Sequence, residues 1–479
     1  MVNAAPELVL ALDQGGHASR AVLFDREGRQ LAEAQVPIST RREGPDRVVH
    51  SPDELVDTLT TAVSDACEAA VARGMRVVAA GLATQRSTLV CWNRSSGEPL
   101  SDALSWQDRR NARWLERLRP HEARIRSLTG LVLSPHYGAS KMRWCLDHLA
   151  AVQAAATRGE LAIAPLSSFL LHRLLGERPF VVDPANAART SLFDPSQLEW
   201  SPPLLALFGI DAGLLPRCVP TQFDYGTLVA AGQEVPLRAC SGDQSAAAFA
   251  FGPPEPATAL VNVGTGAFVQ RATDSHAPLP EGLLKSVLCS DGRGAIVSHE
   301  GTVNGAGSAL DWFAGRTALD VERALGSMSP GTGTEPPLFV NGIGGLGAPF
   351  WKPDFPSAFV GEGDEMAQLA AVVESIAFLL GENLAAMQAS APLRRIVISG
   401  GLSRCDYLCR AIADLSGLPV ERCTLREATA RGIAFLAAGQ PETWHRPPVE
   451  RVFAPVANPS LEARRGRWRA EMARRGAGT

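Results

Sequence analysis

Two short Asp-Gln segments constrain this chain more than any other feature. Asp13-Gln14-Gly15 ends an apolar run, and Gly242-Asp243-Gln244-Ser245 follows much later in the chain. A glycine hairpin, Val263–Phe268, comes soon after the second segment. Carboxylates can hold Mg²⁺ and accept a hydroxyl proton, and glycine turns let backbone N–H groups approach phosphate oxygens. The order and spacing of the three segments therefore favour phosphoryl transfer from ATP, whereas each alone is typical of a simple turn.

The length and net charge of the chain limit the number of domains and the kinds of partner that it can have. A chain of 479 residues exceeds the usual size of one core, which predicts two domains. Its net charge of −4 argues against a nucleic-acid partner, which would favour a basic balance. We find no signal-peptide pattern and no uninterrupted apolar window that could span a bilayer, so we expect no membrane partner.

The cysteines indicate a reducing compartment. All nine are scattered without CxxC spacing, which supports neither a disulfide framework nor a zinc site. Cys405 and Cys409 are four apart on a predicted helix, a spacing more typical of packing than of ligation. We therefore expect a cytoplasmic protein.

The chain opens with a β-meander that gives way to a β-α-β unit. Predicted strands cover Leu8–Gln14, Arg20–Asp25, Gln30–Ile38 and Val77–Thr84. Before the last of them, Ser51 and Glu54 form a predicted capping box that begins a helix, and Gly74 ends it. Later predictions are strands at Ala259–Asn262, Ala267–Ala272 and Arg395–Ser399, and helices at Met366–Met387, Cys405–Ser416 and Glu427–Ala438.

A proline-rich segment divides the chain. Gly252–Pro256 is the best linker, and the strand–glycine turn–strand pattern after it repeats the opening pattern. The predicted domains are therefore residues 1–252 and 253–455, followed by an Arg-rich tail at 456–479 that we expect to be a solvated surface helix. No G-x-x-x-x-G-K-[ST] segment is present, so a nucleotide would be held by hairpins in an interdomain cleft.

Many further sequence fragments occur in the same order as the motifs of one known protein family. They are ALDQG to SRAVLFD (11–25), TQRST (84–88), SWQDRR (105–110), TGLVLSP (129–135), NAART (186–190), SGDQSAA (241–247), VGTGAF (263–268), GLGAPFW (345–351), VESIAF (373–378) and SGG (399–401). The chain resembles the FGGY carbohydrate kinases, and among them most closely the members that phosphorylate glycerol. This resemblance implies an α/β fold of the two-domain actin/hexokinase-like (ribonuclease H-like) type, with ATP and Mg²⁺ as cofactors.

The resemblance also implies roles for individual residues. Asp243 matches the general base, and Asp13 and Asp243 match the carboxylates near Mg²⁺. The positions that match the ATP site are Gly15, Gly16, His17, Arg20, Thr265, Gly266, Gly307, Asp311, Gly401 and Cys405. Several of these also fit a simpler interpretation, since such glycines can serve packing, Arg20 can be a surface side chain and His17 a solvated hairpin tip.

The acceptor pocket departs from the pattern. Its matching positions are Arg86, Ser87, Trp106, His136, Asp243, Gln244 and Phe268, although Arg86 and Trp106 could instead serve interdomain packing. Ser87 stands where the glycerol-phosphorylating members have Glu, and His136 where they have Tyr. A lost carboxylate removes a charge-assisted hydrogen bond of about 1.5–3 kcal/mol and vacates space. Asp108, and the Gly16-His17 pair in place of two threonines, point the same way.

We therefore predict an ATP- and Mg²⁺-dependent kinase acting on a primary hydroxyl of a small polyol or sugar, with altered acceptor choice. One alternative is phosphorylation of glycerol itself. A second, from a different class, is a sugar- or nucleotide-sensing protein on the same fold that no longer turns over. A homodimer or homotetramer is the assembly expected from the resemblance.

Overall fold

Two mixed β-sheets, one in each half of the chain, organise the structure. The computed structural model describes residues 5–328, 335–425 and 427–478. The first half contains strands β1 (Glu7–Gln14), β2 (Ala18–Phe24), β3 (Gln30–Pro37), β4 (Arg41–Arg42), β5 (Val48–His50), β6 (Arg76–Thr84), β7 (Leu89–Asn93), β8 (Ala103–Leu104), β9 (Leu161–Pro165), β10 (Val181–Val182), β11 (Phe193–Asp194), β12 (Glu199–Trp200), β13 (Arg217–Cys218), β14 (Gln222–Ala230) and β15 (Gln233–Gly242). Its helices are α1 (Pro52–Val71), α2 (Ala112–Leu115), α3 (Glu122–Thr129), α4 (Gly138–His148), α5 (Ala150–Thr157), α6 (Leu166–Leu174), α7 (Pro184–Ala188), α8 (Pro202–Phe208) and α9 (Asp243–Ala247).

The second half follows the same plan. Its strands are β16 (Thr258–Val263), β17 (Ala267–Asp274), β18 (Leu284–Ser290), β19 (Ala295–Val303), β20 (Leu338–Val340), β21 (Ala358–Val360), β22 (Arg395–Ser399), β23 (Val420–Cys423) and β24 (Val449–Phe453). Its helices are α10 (Gly307–Ala314), α11 (Val321–Ser327), α12 (Glu365–Ser390), α13 (Asp406–Ser416), α14 (Ala428–Ala437) and α15 (Pro459–Arg474). The strands and helices predicted above agree with these bounds to within three residues.

The central pairings of the two sheets match. The first sheet has the order β14-β15-β6-β1-β2-β3, and the second has the order β18-β19-β17-β16-β22-β23-β24. Strand β1 pairs antiparallel with β2 and parallel with β6, just as β16 pairs antiparallel with β17 and parallel with β22. The predicted repetition of the strand–glycine turn–strand unit is therefore confirmed.

Helix α1 begins where predicted, but its capping box is only half formed. Ser51 Oγ accepts the Glu54 N–H at 3.4 Å. The Glu54 carboxylate does not return a bond to Ser51; it accepts the N–H of Ser39 at 2.9 Å instead. The side chain thus ties the end of the meander to the helix, a tertiary contact that the local motif did not predict.

Helix α12 is the core of the second half. It is long and apolar enough to cross a membrane, but 83% of its most apolar window is buried inside the protein. Helix α15 packs against it: Trp468 lies 5.5 Å from Phe378 between ring centroids, and Arg464 pairs with the buried Glu374 at 2.6 Å. The Arg-rich tail is therefore not simply a solvated surface helix, because one of its faces completes this core.

Helix α14 joins the two halves. Although it lies in the second half, it packs beneath the first sheet, where Ile433 and Phe435 share an apolar cluster with Val9 and Phe24. A Cβ on Gly432 would collide with the backbone carbonyl of Ala246 in α9, so glycine permits this close crossing. The two predicted domains consequently share one interface core.

Candidate active site

Three parallel strand ends place the key side chains at one edge of the first sheet. Asp13 lies on β1, and its register places it beside the end of β6, after which Arg86 follows. Gly242 pairs with Thr84 at the same level, so Asp243 emerges at the same edge. Ligand sites in such sheets form at the carboxyl ends of parallel strands.

Asp243 and Arg86 are neighbours at this edge. The Arg86 Nε atom lies 3.6 Å from Asp243 Oδ1. A Cβ on Gly242 would come within 2.5 Å of Arg86 Cγ, so the glycine leaves room for the arginine stem. Burial raises the pKa of Asp243, while the Arg86 guanidinium and the Gln244 N–H oppose the shift. A carboxylate with a raised pKa is a stronger base, as proton abstraction from an alcohol requires.

Asp13 lies in a second carboxylate environment. Its side chain is buried, and burial raises its pKa to about 7 against the opposing charge of Arg20; the Asp243 and Glu427 carboxylates add to the rise. Arg20 Nη1 lies 3.5 Å from both Asp13 and Glu427. Arg20, the arginine predicted to lie near the phosphates, is thus the counter-charge between two acidic groups, of which Glu427 was not predicted from the sequence.

The carboxylates fit a Mg²⁺ ion carried by nucleotide phosphates. Among the described residues, no group of three or more His, Cys, Asp or Glu side chains forms a metal cage. Mg²⁺ bound to a nucleotide typically uses one or two carboxylates, with phosphates and water as its other ligands. Asp13 and Asp243 could supply these one or two carboxylates. A cation bound beside them would lower the pKa of Asp13, because a positive charge favours the ionised carboxylate.

A buried ion-pair network crosses the interface behind Asp243. Glu300 on β19 pairs with Arg86 at 3.0 Å and with Arg189 at 2.6 Å, both from the first half. It also accepts bonds from Gln270 and Ser286 at 3.0 Å each. Although burial opposes ionisation, the Arg189 and Arg86 guanidiniums hold the pKa of Glu300 well below its usual range. The interdomain packing considered for Arg86 is therefore real, and it coexists with the Asp243 contact.

The predicted acceptor residues of the first half form one wall. Trp106 is 42% exposed at the cleft. The Nδ1 atom of His136 lies 3.0 Å from the backbone carbonyl oxygen of Trp106. Because a carbonyl only accepts, Nδ1 carries the proton and leaves Nε2 as an acceptor. Burial lowers the pKa of His136 to about 4, so the ring is neutral near pH 7. Ser87 adopts a φ of 65°, a left-handed conformation that is unusual for serine.

The other two predicted acceptor residues lie on either side of the interface. Gln244 follows Asp243 in α9. Phe268 is on β17, and alternation along a strand places it on the same face as Gln270, which contacts Glu300. Asp108 does not support an acceptor role, because it is fully buried and bonds Arg110 and the Val48 N–H.

The predicted nucleotide positions lie on both sheets' hairpins. The β16–β17 turn rests on the start of α10, where Gly307 N donates to Gly264 O and Ser308 N donates to Thr265 O, each at 2.9 Å. Thr265 is exposed next to the half-buried Gly266, and Asp311 is exposed on α10. On the first sheet, Gly15 and Gly16 are half-buried and His17 is exposed at the turn between β1 and β2.

The two glycines at 400 and 401 have different surroundings, which the sequence did not predict. Gly400 has φ 89° and ψ 168°, a region open essentially to glycine alone, and a Cβ there would lie 2.5 Å from Val263 O. Gly401 is exposed with open space around it. Cys405 is 5% exposed within the apolar core, so its predicted ATP contact could come only from its backbone and stays a prediction.

Comparison with known proteins identifies the family of this chain. The N-terminal domain of the FGGY family of carbohydrate kinases matches residues 8–250, and the family's C-terminal domain matches residues 259–440. The chain therefore belongs to the FGGY family of carbohydrate kinases, which are phosphotransferases with an alcohol group as acceptor.

Its relatives define the match more closely. The chain is 34% identical over 446 residues to a glycerol kinase of Geobacter sp. (strain M21), covering 90% of each chain. It is 37% identical over 447 residues to a glycerol kinase of Alkalilimnicola ehrlichii, again covering 90% of each.

Solved structures share the fold. Plasmodium falciparum glycerol kinase with ADP superposes with a TM-score of 0.89 at 20% identity, covering 98% of both chains. Xylulose kinase from Rhodospirillum rubrum gives 0.83 at 19% identity, also covering 98% of both. At these identities the likeness concerns the fold alone.

Proposed function

We propose that this kinase transfers the γ-phosphoryl group of Mg²⁺-ATP to a primary hydroxyl of a small polyol or sugar longer than glycerol, in the cytoplasm. The observation that carries the proposal is the pairing of Asp243 and Arg86 at the cleft, next to a wall that has Ser87 where a carboxylate would bind glycerol. The assembly as a homodimer or homotetramer stays a prediction.

Asp243 would act as the general base. It would take the proton of the acceptor hydroxyl while that oxygen forms a bond to the γ-phosphorus and the bond to the bridging oxygen of ADP breaks. Mg²⁺ held near Asp13 and Asp243 would neutralise the charge on the phosphates. The turns at Gly15–Gly16 and Gly264–Gly266 would place backbone N–H groups near phosphate oxygens.

The acceptor wall supports a changed choice of substrate. A serine hydroxyl at 87 and a neutral imidazole at 136 offer one donor–acceptor and one acceptor, in place of a carboxylate and a phenol. Both replacements are smaller, and neither carries charge at neutral pH. Trp106 supplies an exposed apolar face suited to the C–H surface of a sugar or polyol.

Glycerol itself remains the second candidate. The observation in its favour is the set of relatives called glycerol kinases at about 35% identity over most of the chain. Under this alternative, Arg86 and Asp243 alone would hold the acceptor tightly enough, and the changes at Ser87 and His136 would be neutral.

The test is ADP release with Mg²⁺-ATP across a panel of glycerol, tetritols, pentitols and ketoses of four to six carbons. We expect kcat/KM for one longer acceptor to exceed that for glycerol by at least tenfold. The matched variant is Ser87→Glu, which should improve glycerol about 10- to 100-fold relative to that acceptor by restoring a charge-assisted bond. Preference of the wild type for glycerol would establish the second candidate, and no turnover with any acceptor would overturn the proposal.

A further inference from the structure

Lys141 on α4 is a buried cation bonded to the backbone. It is 1% exposed, and its Nζ donates to the carbonyl oxygens of Ser87 at 2.9 Å, Ser105 at 2.7 Å and His136 at 2.8 Å. The protonated amine has three N–H bonds, and these three carbonyls use all of them. Burial lowers the pKa of Lys141 to about 7, against the opposing charge of Asp108.

The three carbonyls belong to the three segments that build the acceptor wall. Ser87 and His136 are themselves predicted acceptor residues, and Ser105 immediately precedes Trp106. These segments are separated by 18 and 31 positions in the chain, counting from 87 to 105 and from 105 to 136. The Lys141 side chain thus connects the three backbone segments that form the acceptor wall.

The bond from Lys141 to Ser87 also restrains an unusual backbone conformation. A non-glycine residue at φ 65° is in a strained conformation, which the surrounding structure must hold in place. The Lys141 bond to the Ser87 carbonyl restrains that conformation. Without it, the loop can relax to an ordinary backbone geometry and move the Ser87 hydroxyl.

Other residues of α4 hold the Trp106 segment from its far side. Asn111 Nδ2 donates to the Ser140 carbonyl at 2.8 Å. The Arg110 guanidinium lies 4.5 Å from the centre of the Trp144 ring, and it also bonds Asp108. Helix α4 therefore fixes the segment from Ser105 to Asn111 through several side chains, and Lys141 is the member that reaches the acceptor wall itself.

We propose that Lys141 is a positioning residue that sets the shape of the acceptor pocket, and so its selectivity, by holding Ser87, Trp106 and His136 in register. This inference rests on the proposed function for the identity of the pocket. Lys141 does not touch the acceptor; it acts through the three backbone segments.

The kinetic test uses Lys141→Met, which keeps length and apolar volume but removes all three donors. We expect the acceptor KM to rise at least tenfold and discrimination among acceptors to fall at least fivefold, with the ATP KM changed less than threefold. The matched control is Arg271→Met in the second half, since Arg271 is also buried and bonds the carbonyls of Pro256, Met387 and Ala391. That control should lower Tm without changing acceptor discrimination.

A second measurement does not depend on turnover. Hydrogen exchange in Lys141→Met should increase in residues 85–89, 104–108 and 134–138 more than in the rest of the first half. If Lys141→Met does not fold, Lys141→Arg provides the comparison, because a planar guanidinium cannot direct its N–H bonds to the three carbonyls as a compact ammonium does. Unchanged acceptor KM and discrimination in a folded variant, or exchange that rises uniformly, would overturn the proposal. A wild type without activity would refute the proposed function, while the exchange pattern would still test the Lys141 contacts.

Discussion

The proposed nucleotide wall and the proposed acceptor wall of the cleft are built by different means. On the nucleotide side, close backbone approaches dominate: Gly400 fits against Val263, and the turn at Gly264–Gly266 rests on the start of α10. On the acceptor side, buried charges dominate: Lys141 binds three carbonyls, and Glu300 binds Arg86 and Arg189. The nucleotide wall therefore depends on the absence of side chains, and the acceptor wall on side chains whose partners lie elsewhere in the chain.

This difference predicts which of the two walls tolerates substitution. A glycine in a special conformation admits few replacements, so a backbone-built wall retains its form. A wall held by buried charges can exchange the residues that face the ligand, such as Ser87 and His136, while the supports behind them stay fixed. The departures at Ser87 and His136 lie on the proposed acceptor wall, whereas the Gly16-His17 departure lies at the turn between β1 and β2.

The largest expected effect belongs to Asp243, where the two walls meet. Asp243→Asn keeps the size of the side chain but cannot accept a proton, so kcat should fall about 10²- to 10⁴-fold. Acceptor and ATP binding, measured by calorimetry, should change little. Near-normal turnover in this variant would place the base elsewhere.

The next prediction compares a buried ion pair at the interface between the halves with a buried ion pair inside one half. Glu300→Gln leaves Arg189 buried without a counter-charge and leaves Arg86 only its longer contact with Asp243, which should cost about 3–5 kcal/mol of unfolding free energy. Because the pKa of Glu300 is lowered, this stabilisation is present above the usual pKa of a glutamate and is lost as pH falls below it. Urea unfolding at pH 7 measures the loss.

The control for Glu300 is Glu374→Gln, since Glu374 is equally buried and pairs with Arg464 inside the second half. Both variants should lose stability, but only Glu300→Gln should also raise the acceptor KM. Equal kinetic effects would show that the interface network does not act on the acceptor wall.

A smaller effect would test the backbone-built wall. Gly400→Ala forces an alanine into a conformation open essentially to glycine and against the Val263 carbonyl, so it should destabilise by about 3 kcal/mol. Gly401→Ala, with open space around it, should leave Tm nearly unchanged and alter only the ATP KM. Thermal unfolding together with ATP kinetics compares the pair; similar losses of Tm would contradict the assignment.

The smallest effect concerns His136. Its pKa is lowered from 6.5 to about 4, so the unfolded chain binds a proton between these values while the folded protein does not. The wild type should therefore lose about 1–2 kcal/mol as pH falls from 6.5 to 4, allowing for partial exposure of the ring. His136→Gln should flatten this part of the stability curve. Parallel curves for the two proteins would show that the ring is solvated.

Sequence patterns predicted the fold well because its signals are local. The glycine turns at 15–16 and 264–266, the Ser51 cap and the apolar strands each lie within a few residues, and the structure places them as expected. The Asp13 and Asp243 positions followed from strand ends, which also meet at one edge.

What the sequence did not predict depends on distant partners. Glu300 lies 214 positions from Arg86, and nothing near either residue indicates their pairing. Glu427 reaches Arg20 only because α14 crosses beneath the first sheet. The contacts of Lys141 join three segments that are far apart in the chain, so the sequence alone did not indicate them. Asp108 misled because residue type alone cannot show that a carboxylate is already bonded.

The crossing of α14 also sets the order of events during synthesis. Val9, Phe24 and Phe249 belong to an apolar cluster completed by Ile433 and Phe435. Ribosomes add about 5–20 residues per second, so roughly 10–40 s pass between the emergence of Phe249 and that of Ile433. For that interval the cluster lacks Ile433 and Phe435, so the part of the first sheet that α14 covers in the finished protein stays exposed on the nascent chain.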